Sequence, residues 1–153
     1  MSLRIERQSV ITPAAMSILE EYYEAVHVVQ RDEIDKMQQM LEDQASGIWL
    51  ATEGDEVIGC VVLRSLNSVP GTGECKRLYV KPSARGKGVA DLLLDAMECF
   101  AEAEGVTAIF LDSYDDLKAA IALYSRRGYE YCARYNDNPQ ATVFMRKYLR
   151  SGV

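Results

Sequence analysis

The chain has 153 residues, a formal charge of −6, 48% hydrophobic and 26% charged residues. That length gives one domain with room for a proper core, and the composition is that of an ordinary globular protein. No apolar run approaches the roughly 20 residues of a membrane span, the acidic balance argues against nucleic acid as the main partner, and charges recurring from Arg4 leave no signal-peptide pattern.

Residues 3–11 read as a first strand. Thr12 offers a helix N-cap and Pro13 the first helical position. Ala15, Ile18, Leu19, Tyr22 and Val26 then recur at helical spacing. A second helix is expected over residues 32–44, with Ile34, Met37 and Leu41 on one face. Residues 48–52 and 57–66 are strands around a hairpin turn at 53–56. Residues 67–73, with Pro70, Gly71 and Gly73, read as a flexible loop, and 74–80 as the next strand. In the helix expected from 89 to 104, Val89, Leu92, Leu93, Ala96, Met97 and Phe100 form an apolar stripe closed by Gly105. Residues 108–111 form a continuous apolar strand of the buried kind, continuing to 113. Asp115 or Asp116 can cap a helix running to Arg127, with Gly128 at its C′ position. Residues 129–133 and 142–148 are closing strands around the turn-rich Asn136-Asp137-Asn138-Pro139. The order is β-α-α-β-β-β-α-β-α-β-β, an α/β (α+β) chain.

Cys60, Cys75, Cys99 and Cys132 are widely spaced and form no Cys-x-x-Cys pair. They read as reduced thiols of a cytoplasmic protein. His27 has no partner histidine, so no metal site is expected.

The chemistry concentrates at Arg85-Gly86-Lys87-Gly88-Val89-Ala90, between an apolar strand and the long helix. Its two glycines let the backbone turn tightly and leave the amides unobstructed. The following helix aims its positive dipole end and unpaired N–H groups at the loop. Lys76, Arg77, Lys81, Arg85 and Lys87 surround it in sequence, and no Asp or Glu occurs from Cys75 to Ala90. In an acidic chain this is a local reversal of sign, and a phosphate-bearing ligand is its natural occupant. The spacing is not that of a Walker A loop, and Val89 follows Lys87-Gly88 where Ser or Thr belongs. A dinucleotide fingerprint fails at Asp91, whose charge would repel a pyrophosphate. What remains is a signature of type Arg/Gln-x-x-Gly-x-Gly/Ala, met by Arg85, Gly88 and Ala90.

This segment resembles the coenzyme A pyrophosphate loop of the GNAT superfamily of acyl-CoA-dependent N-acetyltransferases. Glu74-Cys75-Lys76-Arg77-Leu78-Tyr79-Val80, followed by Pro82, resembles the fourth strand of that family. Ala120-Ile121-Ala122-Leu123-Tyr124-Ser125-Arg126-Arg127-Gly128-Tyr129 resembles its Ala-x-x-Leu-Tyr-x-x-x-Gly-Phe/Tyr segment. The resemblance covers nearly the whole chain and makes residues 1–153 a single N-acetyltransferase domain. It implies the acyl-CoA N-acyltransferase fold, a mixed and mostly antiparallel sheet of seven strands flanked by four helices. It also implies that the fourth and fifth strands splay around the pantetheine arm.

The implied reaction moves an acetyl group from acetyl-CoA to a primary amine of a small molecule, an amino acid or another amine, by direct attack in a ternary complex and without a metal. A non-catalytic acyl-CoA-binding module, an acetyltransferase for protein N-termini or lysines, and an enzyme for longer acyl chains are the alternatives. A homodimer stays open. By resemblance Tyr124 is the general acid beside the coenzyme sulfur. A phenol of pKa about 10 can donate to a departing thiolate of pKa about 8.5. The competing reading packs Tyr124 with Leu117, Ala120 and Ile121 as an ordinary core aromatic. Glu74 is the candidate base, since strand alternation puts Glu74, Lys76, Leu78 and Val80 on one face; otherwise it is a surface carboxylate paired with Lys76 or Arg77. Asp112 and Ser113 are alternative proton acceptors.

Backbone groups of Leu78, Tyr79 and Val80 are expected to meet the oxyanion and pantetheine. Arg85, Gly86, Lys87, Gly88, Val89 and Ala90 would hold the pyrophosphate, and Arg126 or Arg127 the 3′-phosphate. Leu117 stands where many relatives carry an Asn that binds pantetheine, a contact Ser113 or Ser125 can supply. The implied acceptor pocket spans residues 22–40 and 135–141. Tyr22, Asn136 and Asn138 are its candidates, although Asn and Asp equally serve turn geometry. Glu20, Glu21, Glu24, Asp32 and Glu33 would favour a cationic acceptor.

Overall fold

The computed structural model describes residues 2–29, 31 and 33–149. Their order is β1 (Leu3–Gln8), α1 (Pro13–Ala25), α2 (Ile34–Leu41), β2 (Gly47–Glu53), β3 (Glu56–Leu66), β4 (Thr72–Val80), a 3-10 turn (Pro82–Ala84), α3 (Val89–Ala103), β5 (Ala108–Ser113), α4 (Lys118–Arg126), β6 (Glu130–Tyr131) and β7 (Val143–Tyr148). The strands form one sheet in the order β1-β2-β3-β4-β5-β7-β6. Every neighbouring pair is antiparallel except β4 beside β5. This is the mixed, mostly antiparallel sheet with four helices that the family resemblance implies.

The sheet has a core on each face. The Thr12 hydroxyl accepts from the Ala15 amide at 3.1 Å and starts α1. Ala15, Ile18, Leu19 and Tyr23 of that helix pack with Met37 and Leu41 of α2 on Ile48, Leu50, Cys60 and Val62. On the other face Val89, Leu93, Leu94, Met97 and Ala101 of α3 cover Trp49, Val61, Leu63, Ile109 and Met145. Each fully buried leucine there contributes on the order of 2 kcal/mol. Leu92, expected in the α3 stripe, is 42% exposed, and Leu94 is buried instead. Residues four apart on a 3.6-residue helix drift by about 40° per step, toward Leu94 and away from Leu92.

Element ends differ where side chains redirect the backbone. β1 stops at Gln8, and the Ile11 amide donates to Gln38 Oε1 at 3.1 Å instead of extending the strand. α2 is shorter than expected. Its predicted start at Asp32 lies outside the described residues, and Asp43 Oδ1 accepts the Ala45 amide at 2.9 Å beyond its end. No aspartate caps α4. Asp115 and Asp116 sit in a turn closed by the Leu117 amide on the Tyr114 carbonyl, and Leu117 itself stands at the N-cap. β6 shrinks to two residues because Tyr129 is still finishing α4, its amide on the Tyr124 carbonyl and its side chain in the core.

Two irregularities in β4 position the site. β4 pairs with β5 only at Gly73↔Ile109 and Glu74↔Phe110, and beyond Glu74 the two strands part. The splay implied by the family resemblance is therefore present. On its other edge β4 carries a bulge. Val62 faces Lys76 and Cys60 faces Tyr79, so Val61 stands opposite both Arg77 and Leu78. Arg77 takes the left-handed conformation that absorbs the extra residue (φ 60°). The bulge resets the alternation. Cys75, Leu78 and Val80 join the α3 core, whereas Tyr79 turns to the α1 core and Glu74 stays with Lys76. The expected single face of Glu74, Lys76, Leu78 and Val80 does not exist.

Candidate active site

The loop before α3 is a cradle of amides. Gly86 (φ 82°) and Gly88 (φ 78°) are both left-handed. A Cβ added at either would meet no atom within 4 Å, so the glycines serve backbone shape and leave open space above the amides. Among the described residues the Gly86, Lys87 and Gly88 amides make no backbone hydrogen bond. The first-turn amides of α3 have no intrahelical acceptor either. Together these donors form an anion nest at the start of a fifteen-residue helix.

The charge around this cradle differs from the expectation. Lys81 pairs with Glu21 (3.7 Å) and Glu56 (3.4 Å). Arg85 folds back, its Nε donating to the Val80 carbonyl at 2.9 Å. Lys76 and Arg77 line a separate cavity. Arg85 and Lys87 are both exposed with no ion pair among the described residues, and Lys87 has no side-chain hydrogen bond there either. Asp91 is neutralised by Arg126 (3.2 Å) and Arg127 (3.0 Å), whose hydrogen bonds hold its carboxyl below the usual range. Arg127 also pairs with Asp95 and Glu98. Both guanidinium groups nominated for the 3′-phosphate are thus committed to α3.

Tyr124, on α4, lies within electrostatic reach of Cys75 on β4 and Asp112 on β5. Its ring is 8% exposed and packs edge-to-face on Tyr129 at 5.7 Å. Burial raises its phenol well above 10, and the charges of Cys75, Tyr22 and Asp112 push the same way. The Tyr124 side chain makes no hydrogen bond among the described residues. It is both a core aromatic and a hydroxyl with capacity to spare. Ser113 is buried at the end of β5, and its carbonyl accepts the Thr142 amide at 3.0 Å. Of the strand-four residues, Tyr79 donates its hydroxyl to Glu21 at 2.7 Å. Burial pushes the Cys75 and Cys132 thiols up, so neither is a ready thiolate.

Glu74 is 1% exposed and saturated with donors. Arg64 Nε (2.8 Å), Tyr135 Oη (2.6 Å) and Asn136 Nδ2 (3.2 Å) donate to it, and Lys76 Nζ lies at 3.6 Å. Asp112 Oδ2 accepts from Asn136 Nδ2 (2.7 Å) and Asn138 Nδ2 (3.3 Å), with Lys76 at 3.7 Å. Asp112 Oδ1 accepts no hydrogen bond among the described residues. The loop before β7 is rigid in its own right. Arg134 donates to the Asn136, Asn138 and Ala141 carbonyls. Asn136 and Asn138 accept the Asn138 and Gln140 amides in successive Asx turns. The Tyr135 ring sits between Phe110 (5.2 Å) and Phe144 (5.6 Å). Tyr135, Arg64 and Arg134 were not legible as site residues, because their roles depend on strand register and loop closure. A signal existed in Arg64, which faces Glu74 directly across β3 and β4.

A cavity of about 690 Å³ opens between this loop and the chain joining α1 to α2; Tyr22, Asp112, Ser113, Leu117, Asn136 and Asn138 are among its lining. The three acceptor candidates thus share one cavity. Burial pushes the Tyr22 phenol up to about 12 against the opposing pull of Arg77, so it stays a neutral donor. Gln140 bridges the mouth: its Nε2 donates to the His27 carbonyl (3.0 Å) and its Oε1 accepts the Val29 amide (3.1 Å). Of the acids expected to greet a cationic acceptor, Glu33 lines the cavity. Glu20 pairs with Arg31, Glu21 with Tyr79 and Lys81, and Asp32 lies outside the described residues.

This combination of parted strands, amide cradle and side cavity can be compared with known proteins. The acetyltransferase (GNAT) family model matches residues 12–129. The chain belongs to that family. It is an acyltransferase of the N-acetyltransferase class. An N-acetyltransferase of Schizosaccharomyces pombe is 34% identical over 103 residues, 65% of this chain and 63% of that protein. The N-acetyltransferase YsnE of Bacillus subtilis is 36% identical over 106 residues, 66% of this chain and 68% of that one. Neither name specifies an acceptor. The PaiA N-acetyltransferase of Thermoplasma acidophilum, solved in complex with coenzyme A, has a TM-score of 0.74 at 17% identity, covering 97% of this chain and all of the other. Among the described residues no helix is long and apolar enough to cross a membrane, and no cluster of potential ligands can hold a metal ion.

Proposed function

We propose that this acyltransferase moves the acetyl group of acetyl-CoA directly to a primary amine of a small molecule. The observation that carries the reading is the parting of β4 and β5 beyond Glu74, with open amides at one end and the cavity at the other. Acetyl-CoA supplies a thioester, activated for attack at its carbonyl carbon. The Gly86 to Ala90 amides and Lys87 hold its pyrophosphate, and Arg85 shapes that loop through Val80. The backbone of Leu78, Tyr79 and Val80, on the edge of β4 that β5 has left, takes the pantetheine amides and the oxyanion. Preorganised backbone donors stabilise developing charge without reorganising.

The amine enters from the cavity. An ammonium of pKa near 10 must lose a proton before it can attack. Asp112 Oδ1 is the acceptor of that proton, directly or through water. Glu74, with both oxygens taken, holds the loop around Tyr135 and Asn136. As the N–C bond forms and the C–S bond breaks, the Tyr124 phenol donates its proton to the leaving thiolate, and the second proton shed by the acetylated nitrogen returns through water to the phenolate. Its raised pKa keeps it protonated throughout the working range. The buried thiols favour direct transfer over a cysteine-bound acyl intermediate. Four free cysteines support a cytoplasmic site of action.

Calorimetric titration with acetyl-CoA tests the reading, beside Lys87→Glu and Gly88→Glu variants. Micromolar binding lost in both variants, with coenzyme release when an amine panel is added, supports it. A folded protein that binds acetyl-CoA but releases no coenzyme with any amine is instead the non-catalytic module. No binding at all removes the cradle assignment.

A further inference from the structure

The acceptor cavity reverses the charge of the chain that builds it. The protein carries a formal charge of −6, yet among the described residues Arg31, Lys36, Arg64, Lys76 and Arg77 line the cavity against Glu33, Asp112 and Asp137. Much of that positive charge is already spent. Lys76 is shared between Glu74 and Asp112. Arg31 gives Nη1 to Glu20 and Nε to the Val28 carbonyl. The Arg77 guanidinium lies over the Tyr22 and Tyr23 rings at 5.9 and 5.2 Å.

Two cations keep capacity. Arg64 uses Nε on Glu74, and neither of its terminal nitrogens donates a hydrogen bond among the described residues. Its side chain is 41% exposed, so those nitrogens reach solvent in the cavity. A guanidinium anchored at Nε presents its remaining donors as a fork, the geometry that binds a carboxylate in two places. Lys36 stands at the rim, exposed and without an ion pair among the described residues. At the β5 end, Asp112 Oδ1 is left to receive an ammonium. The same cavity thus offers an acceptor for a positive group and donors for a negative one. We propose that the acceptor is a primary amine that also carries a carboxylate, with Arg64 and Lys36 as its specificity-determining residues. This rests on the acetyltransfer reading above and narrows its substrate class. It replaces the cationic acceptor that the acidic face of α1 suggests.

The test measures coenzyme release with matched acceptors: α-amino acids, their carboxamides and the corresponding decarboxylated amines, with a diamine beside them. Acetyl-CoA affinity is measured separately by calorimetry. The expected result is a kcat/KM at least about tenfold higher for the amino acids than for their carboxamides. Arg64→Gln and Lys36→Glu should each raise KM for amino acids about tenfold. In Lys36→Glu, acetyl-CoA affinity and KM for the carboxamides should stay within about twofold; in Arg64→Gln, which also frees Glu74, KM should rise more for the amino acids than for the carboxamides. Lys36 is exposed, so its charge reversal disturbs no packing and keeps the test valid if Arg64→Gln weakens the fold. Preference for carboxamides or the diamine, or no turnover of amino acids while acetyl-CoA still binds, overturns the carboxylate assignment and leaves the coenzyme site standing. Loss of acetyl-CoA binding by the wild type instead overturns the reading beneath it.

Discussion

Glu74→Gln separates a holding carboxylate from a catalytic base. The wild-type carboxylate accepts from Arg64, Tyr135 and Asn136 and faces Lys76, all while 1% exposed. Glutamine keeps one acceptor oxygen and replaces the other with a donor. The oxygen can keep Arg64. The Tyr135 hydroxyl can rotate to accept, but Asn136 Nδ2 then meets another donor and falls back on Asp112 at 2.7 Å. Lys76 likewise keeps only Asp112. One charge-assisted bond weakens, one is lost, and a half-buried ammonium loses a counter-ion. At about 1.5–3 kcal/mol for each hydrogen bond to a charged group, less what Asp112 recovers, the cost is about 3 kcal/mol. That is the low end for breaking a buried ion pair. For a domain of this size Tm should fall by roughly 6–12 °C. Differential scanning calorimetry and steady-state kinetics read the outcome together. KM for the amine should rise as the Tyr135–Asn138 loop loosens, with acetyl-CoA affinity nearly unchanged. A Tm within about 2 °C of wild type, with kcat abolished and the amine KM intact, would refute the holding role and return Glu74 to the chemistry.

Tyr124→Phe removes a hydroxyl that makes no hydrogen bond among the described residues, so stability should move by less than about 1 kcal/mol, while kcat falls at least about tenfold. Equal turnover would remove Tyr124 as the acid. Because burial raises this phenol well above 10, wild-type kcat should show no falling limb due to Tyr124 up to about pH 10. A limb near pH 9 that vanishes in the phenylalanine variant would contradict the environment described. In Gly88→Ala the added Cβ meets no neighbouring atom within 4 Å, so its folding cost is the left-handed backbone alone, about 1–2 kcal/mol. Its acetyl-CoA affinity should drop far more than that strain explains, and calorimetry showing unchanged affinity would move the anion site elsewhere.

Asp91→Asn probes the α3–α4 ion pairs. The folded-state pKa of Asp91 lies below its ordinary 3.8, so its stabilisation is present above that value and lost as pH falls through the lower folded value. The pair is part-exposed, and the deficit should be about 1 kcal/mol or less near pH 7. Urea unfolding should show it shrinking progressively as pH falls below 3.8. A deficit unchanged by acid would point to packing rather than charge.

Local signals carried most of the fold. Thr12-Pro13 start α1 and Gly88 starts α3, because caps and turns depend on a few adjacent residues. The amide cradle was readable for the same reason. What escaped depended on residues distant in sequence. The bulge at Arg77 arises from β3–β4 pairing and overturns the strand-alternation argument for Glu74. Arg126 and Arg127 look spare in sequence and are not, since Asp91, Asp95 and Glu98 lie one turn apart along α3. The cations that line the cavity among the described residues come from β3, β4 and the segment at Arg31 and Lys36, which sequence order does not bring together.

The single inserted residue in β4 also partitions the strand for change over time. Upstream of Arg77, Glu74 and Lys76 answer to the loop around Asn136; downstream, Leu78 and Val80 answer to the α3 core. A substitution in one half therefore does not propagate by alternation into the other. On the function proposed above, acceptor preference can drift, or be engineered, through Arg64, Glu74 and Lys76 while the half proposed to face the coenzyme keeps its side chains. Deleting one residue between Lys76 and Tyr79 would remove the bulge yet keep Lys76 opposite Val62 and Tyr79 opposite Cys60, so both halves would hold their faces and only the kink at Arg77 would be lost.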